Sequence, residues 1–171
     1  GSHAGKQALL IGTGAHARVV VAALKRSGFD EISVFSPSGR AQDFALSRGL
    51  VSIDREGLQA AIADADLLVS CSGNAGDLLT KDALAPARSN SEAELMVVDV
   101  SLSRDVSPEV ESLPGVDLVN LEVIKRHAPV EHGDAILAAQ EALLEAKIKM
   151  RDAEKFKPVS IPKLMLQRFE C

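Results

Sequence analysis

Two glycines near the start of the chain have the spacing and surroundings of a phosphate-binding turn. Gly12 and Gly14 follow a short apolar run and precede a segment of helical periodicity, with Ala17 three residues further on. In such a turn the first glycine permits a tight bend, the second lets the backbone approach a pyrophosphate, and the small third residue keeps helix and strand close. The pattern predicts dinucleotide binding, with the pyrophosphate facing the N–H groups of the helix start.

The residues after the second predicted strand favour a phosphorylated cofactor. NAD-binding units normally place an acidic residue there, about 20 residues beyond the glycines, to accept hydrogen bonds from the adenosine ribose. This chain carries Ser36, Ser38 and Arg40 instead. Serine hydroxyls can donate to a 2′-phosphate and arginine can neutralise it, so we predict NADPH as the cofactor. An exposed arginine at a helix start is the alternative interpretation of Arg40, and the missing acid also disfavours FAD and S-adenosylmethionine.

A loop after the fourth predicted strand would reach the cofactor from the other side of the glycine turn. Ser72 and Gly73 would lie at the carboxyl edge of the sheet, where open α/β folds bind ligands. Cys71 follows a buried strand without a histidine at useful spacing, so it is predicted to be a core thiol. His127 and His132 are poorly spaced for a metal, and no catalytic or metal-binding residue is predicted. The predicted cofactor-binding residues are Gly12, Thr13, Gly14, Ala15, His16, Ser36, Ser38, Arg40, Ser72 and Gly73.

Alternating strands and helices must position these residues. Leu9 to Ile11 form the unbroken apolar run of a strand buried on both faces, and Gly28 ends the helix that follows. Further strands are predicted over 31–35, 50–53, 67–70, 95–100 and 116–120, with helices from 40, from 54 and over 81–87 between them. This order predicts the α/β class and a doubly wound, mostly parallel sheet with helices on both faces, a Rossmann-like NAD(P)-binding fold.

Length and composition predict one domain with an extension. The chain has 171 residues, of which 46% are hydrophobic, enough for a substantial core. Residues 1–4 are interpreted as a disordered cloning remnant, 5–130 as the NADP-binding domain, and 131–171 as a helical extension with a tail. Because the chain begins one strand before the glycine turn, it is expected to be an excised domain.

Charge and cysteine usage exclude several classes of protein. The net charge of -5 gives no electrostatic footprint for non-specific nucleic-acid binding. No apolar run approaches the roughly 20 residues that span a bilayer, and no signal peptide is visible. Cys71 and Cys171 lack the spacing of a disulfide framework or a zinc site. We therefore expect a cytoplasmic protein that makes no contact with membranes.

Together these residues resemble the NADPH-binding domain of glutamyl-tRNA reductases, from about Lys6 to Arg126. The resemblance rests on residues 11–17, on residues 65–73 with 79–82, and on residues 98–110. The block from Asp99 to Asp105 is similar to the family's Asp-Ile-Ala-Val-Pro-Arg-Asp segment and is more specific than the glycine turn.

The resemblance implies reduction of the glutamyl ester on charged tRNA to glutamate-1-semialdehyde, with hydride from NADPH, in tetrapyrrole biosynthesis. The family forms a thioester on a cysteine within a Thr-Cys-Asn-Arg motif of a separate domain, and this sequence has no such motif. The chain is therefore expected to bind cofactor without completing the reaction. The resemblance also implies contact with glutamyl-tRNA through other domains and a homodimer of the full-length protein. Arg104 and Asp105 would brace the loop beside the nicotinamide.

The sequence departs from the family pattern at two places, and two alternative functions are considered beside the resemblance. The family usually carries Asn-Arg-Thr where this chain has Ser36 to Ser38, and Ser103 replaces the usual proline of the Asp99 block. The first alternative is the NADP-binding domain of a shikimate dehydrogenase-like oxidoreductase, although the Asp99 block argues against it. The second is a non-catalytic nucleotide-sensing module.

Overall fold

A six-stranded parallel sheet organises the described residues. The computed structural model describes residues 3–73, 78–89, 91 and 93–120. The strands pair in the order β3-β2-β1-β4-β5-β6, and all of these pairings are parallel. They are β1 (Gln7–Ile11), β2 (Glu31–Phe35), β3 (Val51–Ile53), β4 (Leu67–Ser70), β5 (Leu95–Asp99) and β6 (Val116–Asn120). The predicted doubly wound, Rossmann-like NAD(P)-binding fold is confirmed, whereas the predicted helical extension lies outside the described residues.

Helices cover both faces of the sheet. They are α1 (Ala15–Arg26), α2 (Ala41–Leu46), α3 (Leu58–Asp64) and α4 (Lys81–Arg88), with a 3₁₀ turn over Pro108–Ser112. Successive residues of a strand point to opposite faces, so Leu10 packs with α1 and α2 while Leu9 and Ile11 pack with α3, α4 and the 3₁₀ turn. The central strands are therefore buried on both sides, as their continuous apolar runs predict.

Gly28 ends α1 as predicted. Its φ of 87° is in the left-handed region that glycine tolerates. The Gly28 N–H donates to Lys25 O at 3.0 Å, and the Phe29 N–H donates to Leu24 O at 3.1 Å. These two bonds satisfy carbonyls at the helix end and turn the chain directly towards β2.

Local side-chain hydrogen bonds set the starts of two other helices. Thr80 caps α4 as predicted, because its Oγ1 accepts the Ala83 N–H at 3.2 Å. The helix predicted from Asp54 begins only at Leu58. Asp54 Oδ1 accepts the Gly57 N–H at 2.7 Å, so residues 54–57 form a turn that is held by this carboxylate.

His3, the first described residue, packs against the fold. His3, which belongs to the segment interpreted from the sequence as a cloning remnant, is only 3% exposed. Its ring stacks on Phe29 with 4.6 Å between centroids and 3° between planes, and its carbonyl accepts the Lys6 N–H at 2.9 Å. Phe29 offers a buried aromatic face to which the imidazole ring can pack.

Candidate cofactor-binding site

The carboxyl ends of four strands meet at one edge of the sheet. Backbone bonds extend the pairing one step beyond the strands: the Gly12 N–H donates to Phe35 O, and the Cys71 N–H donates to Ile11 O. The loops after β1, β2 and β4 are thereby brought together, and the Val100 N–H, which donates to Ser70 O, joins the loop after β5 to them. Since β1 lies between β2 and β4, the chain changes direction across the sheet at this point. Open α/β sheets bind their ligands at such a switch point.

The two glycines of the glycine turn have different surroundings. Gly12 has a φ of 118°, and a Cβ there would lie 2.8 Å from both Cys71 C and Ser72 N. Its missing side chain is therefore required by the close approach of the β4 loop, which the sequence did not reveal. Gly14 is exposed, and a Cβ there would meet nothing within 4 Å. The space beside Gly14 is thus open to a ligand.

The first turn of α1 presents its backbone to the same space. No side chain caps this helix, whose N-cap is Gly14. Ala15 is exposed and His16 is half-buried, while Ala17 is fully buried against the sheet, as its predicted packing role requires. The N–H groups at the start of an uncapped helix favour an anion.

A chain of hydroxyl groups joins the glycine turn to Arg40. Thr13 Oγ1 lies 3.2 Å from Ser36 Oγ, which lies 2.9 Å from Ser38 Oγ. The Arg40 Nε–H donates to Ser38 Oγ at 2.9 Å. Ser36 is only 6% exposed, whereas Ser38 and Arg40 face solvent. The structure brings these four predicted residues together, and no carboxylate stands among them.

The loop after β4 is held by Asp105 from a distant part of the chain. The Ser72 N–H donates to Asp105 Oδ2 at 2.7 Å, and the Ser70 hydroxyl donates to the same oxygen at 2.8 Å. Asp105 is fully buried, while Arg104 is exposed with a φ of 53°. Asp105 thus braces the loop after β4 through these two hydrogen bonds. Of the described residues 71–73 of this loop, the Ser72 amide is occupied by Asp105, whereas Gly73 is exposed.

Asp99 organises the loop after β5. Its Oδ1 accepts the Ser101 N–H at 2.9 Å and the Ser101 hydroxyl at 2.6 Å. Its Oδ2 accepts the N–H groups of Asp105 and Val106 at 2.8 and 2.9 Å. Asp99 is 2% exposed, so these bonds replace its hydration and fix the position of Asp105.

Cys71 has the surroundings of an inert core thiol. Burial first, and then the negative charges of Asp105 and Asp99, raise its pKa from 9.0 to about 12. The thiolate is the nucleophilic form of cysteine, so this residue is protonated at neutral pH and unsuited to catalysis. The interpretation of Cys71 as a core residue agrees with this geometry.

Neither a metal-binding cluster of side chains nor a membrane-spanning helix is present in the part of the chain that the structure describes. No group of three or more His, Cys, Asp or Glu residues within it could hold a metal ion. Within the same ranges, none of the helices has the length and apolar character needed to cross a bilayer. His127, His132 and Cys171 lie outside the described residues.

Comparison with known proteins connects this site to a family. The model of the family described as shikimate / quinate 5-dehydrogenase matches residues 1–127. Glutamyl-tRNA reductase of Paenarthrobacter aurescens is 34% identical over 95% of this chain and 37% of its own length. That of Renibacterium salmoninarum is 40% identical over 79% of this chain and 31% of its own length. The chain thus spans about a third of these relatives, whose names describe them as reductases.

Solved structures share the fold. Glutamyl-tRNA reductase from Methanopyrus kandleri superposes with a TM-score of 0.64 at 20% identity, covering 87% of this chain and 39% of that one. Shikimate dehydrogenase from Thermotoga maritima superposes with a TM-score of 0.54 at 18% identity, covering 85% of this chain and 51% of that one. The resemblance predicted from the glycine turn and the Asp99 block is confirmed by the relatives of higher identity. The chain therefore belongs to the shikimate / quinate 5-dehydrogenase family and is a relative of the glutamyl-tRNA reductases.

Proposed function

We propose that this chain binds NADPH and is the cofactor-binding domain of a glutamyl-tRNA reductase. The observation that carries the proposal is the open Gly14 turn, joined through Thr13 and Ser36 to Ser38 and Arg40. A dinucleotide whose pyrophosphate lies on the turn would extend its adenosine ribose towards these hydroxyls. The residues present therefore fit the cofactor.

The choice of NADPH over NADH follows from the charge beside the ribose. A carboxylate after β2 would accept hydrogen bonds from a free 2′-hydroxyl and repel a 2′-phosphate. Here the ribose would meet serine hydroxyls and the guanidinium of Arg40, which donate hydrogen bonds and supply positive charge. A 2′-phosphate is therefore the favoured substituent.

The role of this chain in the reaction is to bind and orient. Bound NADPH would supply the hydride that reduces the glutamyl ester of charged tRNA to glutamate-1-semialdehyde. Gly14 and the start of α1 would hold the pyrophosphate, and Gly73 would flank the nicotinamide half. Buried Cys71 cannot act as the thioester-forming cysteine at neutral pH. We propose that other domains of the parent protein supply that cysteine, the contact with glutamyl-tRNA and the homodimer interface.

Titration with reduced cofactors tests the proposal. The chain has no Trp and no Tyr, so the fluorescence of reduced nicotinamide can be followed with little background. We expect tighter binding of NADPH than of NADH. Arg40→Ala should weaken NADPH binding far more than NADH binding, and equal losses would contradict the role of Arg40. If neither cofactor binds, a nucleotide-sensing or scaffold function becomes the better explanation.

One further candidate function is favoured by a specific observation. The matching family model is described as shikimate / quinate 5-dehydrogenase, which supports a shikimate dehydrogenase-like oxidoreductase. Such a domain would share the glycine turn and the Ser72–Gly73 loop. Similarity to glutamyl-tRNA reductases over 95% of the chain supports the main proposal instead. Assay of the full-length parent with glutamyl-tRNA and with shikimate would separate the two.

A further inference from the structure

A cavity beside the hydroxyl chain has no role in the site described so far. It encloses about 510 Å³ at the carboxyl edge, between the loops that follow β2 and β3. Phe35, Ser36 and Gly39 line it on the β2 side, and Ser52, Asp54 and Arg55 line it on the β3 side. Its volume is within the range of small-molecule sites, roughly 300 to 1,000 Å³.

Ser36 connects this cavity to the glycine turn. Its hydroxyl lies 3.2 Å from Thr13 Oγ1, and the residue also lines the cavity. A ligand that begins at Gly14 and passes Ser36 therefore enters the space between the two loops. For a dinucleotide on this turn, the part that arrives there is the adenosine end.

The positive charge within the cavity comes from the β3 side. Arg55 lines the cavity. Arg40, the cation expected from the sequence, is not among the described lining residues, and its Nε–H donates to Ser38 Oγ. Asp54 also lines the cavity, but its Oδ1 accepts the Gly57 N–H at 2.7 Å and holds the turn that carries Arg55. A guanidinium stays charged at all relevant pH values and can bind phosphate oxygens in pairs.

We propose that Arg55 is a specificity-determining residue that binds the 2′-phosphate of the cofactor from the loop after β3. The assignment deepens and rests on the proposed binding of NADPH. It adds a second cation, from the loop after β3, to the serines and Arg40 of the loop after β2. Arg55 is exposed and belongs to no helix or strand, so its replacement leaves the fold intact.

The test compares the full 171-residue chain with Arg55→Ala and with a charge-matched control. Lys25→Ala is the control, because Lys25 lies in the last turn of α1, remote from the glycine turn, and donates to Arg48 O. NADPH and NADH are titrated by nicotinamide fluorescence, and adenosine 2′,5′-bisphosphate and AMP by calorimetry. We expect Arg55→Ala to weaken NADPH and the bisphosphate by about tenfold. NADH and AMP should change less than twofold, and Lys25→Ala should leave all four affinities unchanged.

The outcomes separate this inference from the proposed function. If the unsubstituted chain prefers NADPH and Arg55→Ala keeps that preference, the role of Arg55 is overturned while the proposed binding of NADPH stands. The same holds if Arg55→Ala weakens NADPH and NADH equally. If the unsubstituted chain binds the bisphosphate, loses that binding in Arg55→Ala and binds no dinucleotide, the role of Arg55 is supported and the proposed function fails. Binding of none of the four ligands overturns both.

Discussion

The two halves of the carboxyl edge carry similar numbers of polar groups but use them differently. In the β4–β5 half, formed by residues 71–73 and 99–106, Asp99 and Asp105 are buried and accept hydrogen bonds from their own chain. In the β1–β2 half, formed by residues 12–17 and 36–40, the first turn of α1 is uncapped and Ser38 and Arg40 face solvent. The buried carboxylates of the β4–β5 half hold its loops in place, whereas the β1–β2 half has polar groups that a ligand can reach.

This difference changes how the sequence motifs are to be understood. The Asp99 block carries the more specific resemblance to a family, yet its two carboxylates serve the architecture of the loops. The glycine turn is the weaker motif, and it faces the space where a cofactor would lie. Specificity of a motif therefore indicates relationship, whereas polar groups that face solvent at the sheet edge indicate where a ligand can bind.

The largest effect on stability is expected from removing Asp99. In Asp99→Ala the N–H groups of Ser101, Asp105 and Val106 would lose their acceptor inside the protein. Each unsatisfied buried donor costs about 1 to 3 kcal/mol, so we expect a loss of about 4 kcal/mol in the free energy of unfolding. Urea unfolding followed by circular dichroism measures it.

Asp30→Ala is the matched control for this change. Asp30 is an exposed carboxylate that precedes β2, and its removal should alter stability by no more than about 0.5 kcal/mol. Equal effects of the two substitutions would mean that the hydrogen bonds of Asp99 do not hold the β4–β5 half together.

A smaller loss of stability is expected from Gly12→Ala, in the region where the two halves touch. The new methyl group would be 2.8 Å from the backbone of Cys71 and Ser72, at a φ of 118°. Overpacking and backbone strain together should cost about 3 kcal/mol. The same unfolding measurement applies.

Gly49→Ala separates strain from contact. Gly49 has a φ of 63°, but a Cβ there would meet nothing within 4 Å. The free energy of unfolding of Gly49→Ala should therefore fall by only about 1 kcal/mol, the cost of alanine in a left-handed backbone conformation. If Gly12→Ala loses no more than Gly49→Ala, the close approach of the β4 loop is not what requires glycine at position 12.

The fold was largely predictable because its signals are local. The strands β1, β4 and β5 contain short, continuous apolar runs, and Gly28 and Thr80 mark helix ends through contacts with residues a few positions away. The errors are local as well. Because Asp54 holds a turn, α3 begins at Leu58 and not at Asp54. The 3₁₀ turn over Pro108–Ser112 has no apolar periodicity from which it could be predicted.

The site was less predictable because its contacts join distant residues. The sequence places Ser36, Ser38 and Arg40 after one strand, but it cannot show that Thr13 reaches Ser36 or that Arg55 borders the same cavity. Asp105 holds Ser72 across 33 residues. Apolar residue type indicates burial for most positions but not for all, since Val19 and Leu46 are 42% and 75% exposed. The cofactor contacts of the ten selected residues stay predictions.

The smallest change in stability is expected at Gly14, with a clear change in binding. Gly14→Ala adds a methyl group that meets no protein atom within 4 Å, at a φ of -75° that alanine tolerates. Stability should stay within about 0.5 kcal/mol, because the gain from a less flexible unfolded chain offsets the loss at a helix N-cap. NADPH binding should weaken at least about tenfold, since the methyl group would occupy the contact between backbone and pyrophosphate. Unchanged affinity in a stably folded variant would mean that the pyrophosphate does not lie on Gly14. The two glycines of one turn would then differ only in packing, and the β1–β2 half would lose its distinction as the open side of the edge.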